Sequence, residues 1–392
     1  MRIAVVNKLL IPSGMVRWSA GWSKGLSDVG NQVEMIFLRE ARSAHQVKGL
    51  LSGLHYSSYL SGTIARLSEA VGSPFVRLGA SESFEVDSSP DPITWALAPI
   101  IGRWDKKFDL VIASEEFTGL AALAANLLNG TPYVLFFQEA IAENEPPWLS
   151  LLLRPWRLVV SRRAALCVGV TTRVAASYQR TLGIEVKVIP HGCNPAPRIS
   201  TSKQDFVLAD TRWTPVRDPA FLLDVAELVD CVRFVVAGSF ASHDAQARFQ
   251  LEICQRNLGN RVQLATGLTE EALTELYRTA LVYVRWAAHS SETPPESGPS
   301  FGIFQALSQG CPIIADTNLS MDSIVISRFK DWVLPRNPSV FAERIEALAA
   351  NPSLVAELSL MAWETAKELS WTNRARQLTR MLQRIMDGRC TE

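Results

Sequence analysis

The sequence predicts an α/β protein made of two Rossmann-like halves, and three observations carry that prediction. Short β-branched apolar runs alternate with helical stretches along the chain. The runs are nearly continuous rather than alternating apolar with polar, which is the pattern of parallel strands covered on both faces. The rhythm breaks once, near the midpoint, at PHGCNPAPRISTSKQD (190–205), where prolines, serines and a lysine read as a linker. At 392 residues the chain also exceeds what one core ordinarily serves, so two domains of about 150–200 residues are expected.

In chain order, RIAVVN (2–7) is the opening strand, and the loop containing IPSG leads to a helix over 17–29. QVEMIFL (32–38) is the next strand, then LVIAS (110–114), a helix over 117–129 and the strand YVLFF (133–137). LCVGV (166–170), a helix over 171–182 and VKVIP (186–190) complete the first half. The second half begins with FVLAD (206–210), a helix over 219–229 and RFVVAG (233–238). RVQLATG (261–267), a helix over 269–280, VYVRW (282–286) and PIIAD (312–316) continue it. Helices over 340–350 and 371–386 close the chain, the last with Leu378, Leu382 and Ile385 on one side.

Composition narrows the function. Lysine plus arginine and aspartate plus glutamate are equal at 39 each, so no global field points to nucleic acid and any basic site must be local. The six cysteines form no CxxC pair and match neither a disulfide framework nor a zinc site, which points to reduced thiols in a cytoplasmic protein. The opening MRIAVVNKLLIPSG reads as strand and loop rather than as a signal peptide, and no window of about 18 uninterrupted apolar residues appears.

Three stretches converge on an anion. In TRWTPVRDP (211–219), directly after a strand, Arg212 and Arg217 are five positions apart in a loop that leads into a helix. Two guanidiniums so placed can clamp a diphosphate, though solvated loop arginines would give the same pattern. In VVAGSF (235–240) a strand ends at Gly238-Ser239, where a missing side chain admits either a ligand or a tight turn. In ESGPSFGIFQALSQGCPII (296–314) a Gly- and Pro-rich loop opens a helix of about eight residues, so the amides around Ser300, Phe301 and Gly302 can face a phosphate. A structural turn is the alternative there.

Order, spacing and strand context together resemble the retaining GT-B glycosyltransferases of the family-four type (glycosyl transferases group 1). The likeness runs over nearly the whole chain: the IPSG loop, GLSDVGNQV, VKVIPHGCNP, RWTPVRDP, RFVVAGS, FGIFQALSQGCPII and LSWTNRARQL all stand where that family has its motifs. It implies two Rossmann-like domains facing across a cleft, an acceptor domain over 1–195 and a sugar-nucleotide domain over 196–370, with 371–392 returning to the first. The implied activity is a hexosyltransferase for polysaccharide biosynthesis. It would use a nucleoside-diphosphate sugar and a glycan or lipid-linked acceptor, with retention and without a metal or other cofactor. Arg212 and Arg217 match the family's diphosphate-binding pair, with Arg217 where Lys is usual. Gly14, Gly238, Ser239, Ser300, Phe301, Gly302 and Gln305 fall on its donor-binding positions.

The chain departs from the family in four places. Gln305 stands where the family's second glutamate holds the donor ribose, so it would bond without charge assistance. The preceding loop is two residues short, and among Glu292, Glu296 and Ser297 the acid near the sugar is taken as Glu296. In LFFQEAI (135–141), Gln138-Glu139 replaces a histidine followed by an acid, which makes Glu139 a catalytic candidate or else an N-cap or ion-pair residue. The first loop keeps a single glycine, Gly14. His191, in the linker, reads as structural. WLSLLLRPWRLVVSRRAA (148–165) is basic and apolar, suiting either peripheral contact with the inner membrane face or an ordinary sheet-covering helix. Two other functions compete: a non-catalytic nucleotide- or glycan-binding relative, and a GT-B epimerase or hydrolase of sugar nucleotides.

Overall fold

A computed structural model describes residues 1–10, 14–40, 49–60, 107–141, 147–214, 217–287 and 300–389. It divides into two compact units, Met1–His191 with Trp371–Glu392 and Gly192–Ser370. Each unit is a parallel sheet with helices between its strands.

The N-terminal unit contains β1 (Arg2–Leu10), α1 (Gly14–Asp28), β2 (Gln32–Glu40), β3 (Tyr56–Leu60) and β4 (Leu110–Ala113). It continues with α2 (Glu116–Asn129), β5 (Tyr133–Phe137), α3 (Pro147–Arg163), β6 (Leu166–Gly169), α4 (Thr172–Leu182) and β7 (Lys187–Val188). Among the described residues its seven strands lie in the order β3-β2-β1-β4-β5-β6-β7. The chain therefore reverses direction across the sheet between β1 and β4, and the carboxyl ends of those strands flank the crevice where α/β sheets bind ligands. β1, β4, β5 and β6 are buried almost throughout, as continuous apolar runs require. The edge strands β3 and β7 depart from the sequence reading. YSSYL lacks the apolar run that marks a central strand, and VKVIP contributes only two paired residues.

The C-terminal unit runs β8 (Gln204–Asp210), α5 (Ala220–Leu228), β9 (Arg233–Ala237), α6 (His243–Gln255), β10 (Val262–Ala265), α7 (Glu270–Thr279) and β11 (Ala280–Arg285). Then come α8 (Phe301–Ser308), β12 (Ile313–Asp316), α9 (Ser323–Arg328), β13 (Val333–Leu334), α10 (Pro338–Ala349) and α11 (Pro352–Glu368). Its six described strands take the order β10-β9-β8-β11-β12-β13, so the switch falls between β8 and β11. The boundary lies at 191/192, a few residues before the expected 195/196. The reason is local bonding. Cys193 N donates to Leu369 O at 3.1 Å, Ala196 N to Ser308 O at 2.8 Å and Trp363 Nε1 to Ala196 O at 2.7 Å, so this part of the linker is held within the second unit.

The last helix, α12 (Trp371–Arg389), belongs to the first unit. It docks on α1 because Gly21 and Gly25, four apart on one helix face, leave room for it: a Cβ at Gly21 would lie within the Trp371 indole, and one at Gly25 against the Trp371 carbonyl. Trp371 then reaches Trp22, ring centroids 5.7 Å apart, and Thr372 Oγ1 donates to Asp28 Oδ2 at 2.7 Å. Because the obstruction at Gly25 is backbone, it cannot move aside as a side-chain tip would. Gly25→Ala is expected to cost ~1–3 kcal/mol by overpacking and Trp371→Ala ~3–5 kcal/mol by leaving a cavity. Denaturant unfolding of each variant measures this, and a Gly25→Ala protein as stable as the parent would contradict the docking.

Candidate functional site

The carboxyl edge of the C-terminal sheet is built around the chain that leaves β8. Trp213 is buried and acts as a peg. Its Nε1 donates to Ala237 O at 2.7 Å, its backbone N to Ser239 O at 2.7 Å, and its carbonyl accepts from Ala241 N at 2.9 Å. This fastens the segment carrying Arg212 beside the loop after β9. Gly238 makes that approach possible. It sits at φ +100°, and the Thr211 carbonyl occupies the space a side chain would need. The missing side chain of Gly238 therefore serves loop against loop, while Ser239 stays exposed.

Arg217 lies half-buried in the following turn, its N donating to Thr214 O at 2.8 Å. The next residue, Asp218, has φ +42° and is held from two sides. Trp286 Nε1, just beyond β11, donates to its carbonyl at 3.1 Å, and Arg336 pairs with its carboxylate while lying 4.7 Å over the Phe221 ring. Arg212 and Arg217 are thus carried by a loop pinned to its neighbours on both sides. Pro215 and Val216 lie outside the described residues, as do Glu292, Glu296 and Ser297.

α8 starts on the same edge. Ser300 precedes it, and its Oγ accepts from Arg285 Nε at 3.2 Å instead of capping the helix's own amides. Gly302 faces inward, where a Cβ would collide with the Tyr283 hydroxyl; that hydroxyl donates to Asp210 O at 3.1 Å. Tyr277 adds a 2.8 Å bond to Asp210 Oδ2. Burial pushes the Tyr283 hydroxyl up to about 12. It also pulls Arg285 below the ordinary guanidinium range, against the opposing pull of Tyr283 and Asp210. Phe301 is half-buried, as is Gln305 one turn into α8. The structure brings Arg212, Arg217, Ser239, Ser300 and Gly302 to one sheet edge, at the ends of β8, β9 and β11.

The N-terminal unit has a carboxyl edge of different character. Gly14 is the first residue of α1, and Asn7 holds that helix start by donating to Met15 O at 2.9 Å and Ser19 Oγ at 3.0 Å. Glu139 is exposed just past β5. Glu115 sits just past β4 with a pKa raised by burial and by Glu139 and Glu116, against the opposing charge of Lys8. Lys8 is itself buried near the end of β1, its Nζ 5.5 Å from the Phe117 ring centroid. Behind Glu139, Gln138 Oε1 lies 3.2 Å from His191 Nε2. His191 is buried and neutral, its pKa pushed down to about 3 by burial and by Arg374, whose Nε donates to the His191 carbonyl at 3.3 Å.

The sequence reading did not single out Lys8, Glu115, Asp218, Arg285, Trp286 or Arg336. One signal was available for three of them: an ionic residue that ends or closely follows an otherwise apolar strand, as in VVNK, LVIASE and VYVR. A buried strand tolerates a charge there only if the fold or a ligand answers it.

Residues 13–192 match the family model described as glycosyl transferase 4-like domain, and residues 197–368 match glycosyl transferases group 1. No curated protein matches the chain in sequence. Among solved structures, HepE of Anabaena with UDP and glucose superposes with a TM-score of 0.71 at 14% identity, covering 98% of this chain and 99% of that one. Sucrose-phosphate synthase from Thermosynechococcus elongatus gives 0.67 at 14% identity over 99% and 100% of the two chains. S. aureus TarM, a mutant in complex with Fondaparinux, alpha-GlcNAc-glycerol and UDP, gives 0.70 at 12% identity over 97% and 99%. At these identities the likeness establishes the GT-B fold of two Rossmann-like domains.

The His191 environment has a thermodynamic signature. Its folded pKa of about 3 lies well below the ~6.5 of an unfolded histidine, so the unfolded chain takes up the proton first as pH falls. The stability contributed by the neutral ring is complete above pH ~6.5 and is lost progressively toward pH 3. Below pH 6 the parent should lose up to ~1.4 kcal/mol per pH unit more than His191→Gln, which has no proton to take up. Denaturant unfolding of both proteins across this range checks the difference, and parallel pH profiles would refute it.

Proposed function

We propose that this chain, a glycosyltransferase of the GT-B type by its two domains, transfers a hexose from a nucleoside-diphosphate sugar to a glycan or lipid-linked acceptor. On this reading the C-terminal unit holds the donor and the N-terminal unit the acceptor. One observation carries it: at the β8/β11 switch point, two half-buried arginines on a doubly pinned loop share a sheet edge with the start of α8. The neighbours crystallised with UDP, among them HepE and TarM, support the donor class.

The reaction breaks the bond between the anomeric carbon and the diphosphate oxygen and forms one from the same carbon to the acceptor oxygen. Negative charge grows on the departing diphosphate. On this reading Arg212 and Arg217 neutralise it; the backbone flanking them is held at Trp213 and at Asp218, and preorganised charges lower the barrier more than flexible ones do. With two guanidiniums in that role the diphosphate can leave without a metal ion. The amides at Ser300, Phe301 and Gly302 add hydrogen bonds to the phosphates. On the same reading Gly238 and Ser239 form the donor loop after β9 and Gln305 bonds the ribose, while Gly14 is the glycine candidate of the N-terminal unit. Glu139 and Glu296 are the carboxylates assigned to the sugar and the incoming hydroxyl. Retention of configuration is part of the proposal, as is a place in polysaccharide biosynthesis. A cytoplasmic location belongs to the proposal as well.

A thermal-shift panel of UDP, GDP, ADP and their sugars tests the donor site. A cognate nucleotide at a hundredfold excess over its Kd should add about 2.7 kcal/mol of stability, and no shift with any of them would defeat the reading. Arg217→Ala should lower turnover ~100-fold, equivalent to ~3 kcal/mol of transition-state stabilisation, while remaining folded. Parental turnover in that variant removes the arginine from the mechanism. Gln305→Ala should weaken nucleotide binding by ~0.5–1.5 kcal/mol, whereas Gln305→Glu should hold or tighten it. Calorimetric titration decides, and unchanged binding by Gln305→Ala would shift the assignment to the residues before Ser300.

A further inference from the structure

α3 buries one face and exposes another that the sheet does not explain. Its inner face is fixed at three points. Arg157 Nε bonds the Glu116 carboxylate at 3.0 Å with both side chains buried; Val160 fills the space over Gly119; and the Tyr133 hydroxyl donates to the Val160 carbonyl. The opposite face carries Leu151 (71% exposed), Leu152 (66%) and Val159 (52%), with Pro155 between them at helical spacing. Arg154, Arg162 and Arg163 are exposed beside this strip. The helix PWLSLLLRPWRLVVSRR contains no carboxylate, although the chain as a whole has no net charge. Arg162 and Arg163 also suit the negative end of the helix dipole, but Arg154 and the bare leucines do not answer to that.

Position adds to composition. α3 returns the chain from β5 to the parallel strand β6, so it runs opposite to the strands and begins at their carboxyl edge. Its 17 residues span ~26 Å, against ~17 Å for the five residues of β5. Arg157 is level with Glu116, the first residue of α2 after β4, and Trp156 lies 5.7 Å from Phe117. The turns before Trp156 therefore extend toward the carboxyl edge, with Leu151 ~7.5 Å before Trp156 along the helix. That is the edge bearing Gly14, Glu115 and Glu139.

We propose that this exposed face of α3 docks on an anionic lipid bilayer, its leucines entering the interface and its arginines meeting the headgroups. Aliphatic side chains beside arginines, on a helix that has no carboxylate and is otherwise fixed to a sheet, are complementary to such a surface. Among the described residues no helix is long and apolar enough to cross a membrane, so the contact is peripheral. The docking rests on this face alone. Its consequence, an acceptor whose sugar-accepting end is tethered to lipid, rests on the sugar-transfer reading.

Co-sedimentation of the full chain with phosphatidylcholine vesicles and with mixed phosphatidylcholine/phosphatidylglycerol vesicles tests it. The parent should bind the mixed vesicles more tightly, and less so as salt rises. Arg162→Gln/Arg163→Gln should weaken that binding ~30-fold, about fivefold per arginine, and leave binding to neutral vesicles unchanged. Leu151→Ser/Leu152→Ser should weaken binding to both by at least ~10-fold. Nucleotide-induced thermal shifts should match the parent in both variants, which separates this test from that of the donor site. Parental sedimentation no greater with vesicles than without would overturn the proposal, as would parental binding by both variants. Self-association of the parent that Leu151→Ser/Leu152→Ser abolishes, with no vesicle binding, would instead assign the face to a second copy of the chain.

Discussion

Much of the C-terminal edge depends on the close approach of two backbone segments, Thr211 to Gly238. Parallel strands β8 and β9 both end at the same level, and the chains leaving them must share a narrow space. A residue with a side chain at 238 would push the Thr211 carbonyl away, and the left-handed φ of +100° disfavours such a residue as well. With the glycine in place, Trp213 drops into the core and bonds Ala237 and Ser239. Only then does the loop beyond it have a fixed direction, which Trp286 and Arg336 complete by holding Asp218. The arginines inherit their placement from these neutral and buried contacts.

This explains what could and could not be seen in the sequence. Central strands were legible because burial on both faces demands unbroken apolar runs: YVLFF is the strand Tyr133–Phe137 and RFVVA the strand Arg233–Ala237. Of the edge strands, VKVIP and RVQLATG were legible in part, but YSSYL and the two-residue Val333–Leu334 were not, since they carry no such run. The loop arginines were visible as charged residues after a strand. What fixes them was not, because Trp286 and Arg336 are distant in sequence, and the partners of Trp213, Ala237 and Ser239, lie a whole helix and strand away from it. At Gly238 the missing side chain makes room for Thr211, a pairing the sequence does not display.

Arg285 shows the same limit from the other side. It ends an apolar strand, where a buried cation is costly unless something answers it. Here Ser300 accepts its Nε–H, while Asp210 and the tyrosines at 277 and 283 offset part of the desolvation. The hydroxyl that would ordinarily cap α8 is thereby drawn toward the sheet. The start of this helix is accordingly held by a strand residue rather than by its own side-chain cap, which couples its position to the same edge that carries the arginine loop.

The two units solve the same topological problem with different ionic groups. Each reverses strand order once and so opens a crevice at its carboxyl edge. At the C-terminal switch point the ionic groups are chiefly Arg212, Arg217 and Arg285, with Asp210 occupied by two tyrosines. At the N-terminal edge they are Glu115, Glu116 and Glu139 with Lys8, Arg157 and the buried Arg39 near the end of β2. A cationic edge suits a polyanionic donor whose charge increases as it departs. At the N-terminal edge Glu115, its pKa raised by burial, and the exposed Glu139 are carboxyl groups suited to a neutral hydroxyl that must give up a proton. Neither preference could arise from the fold, which is shared by both units; each comes from which side chains terminate the strands.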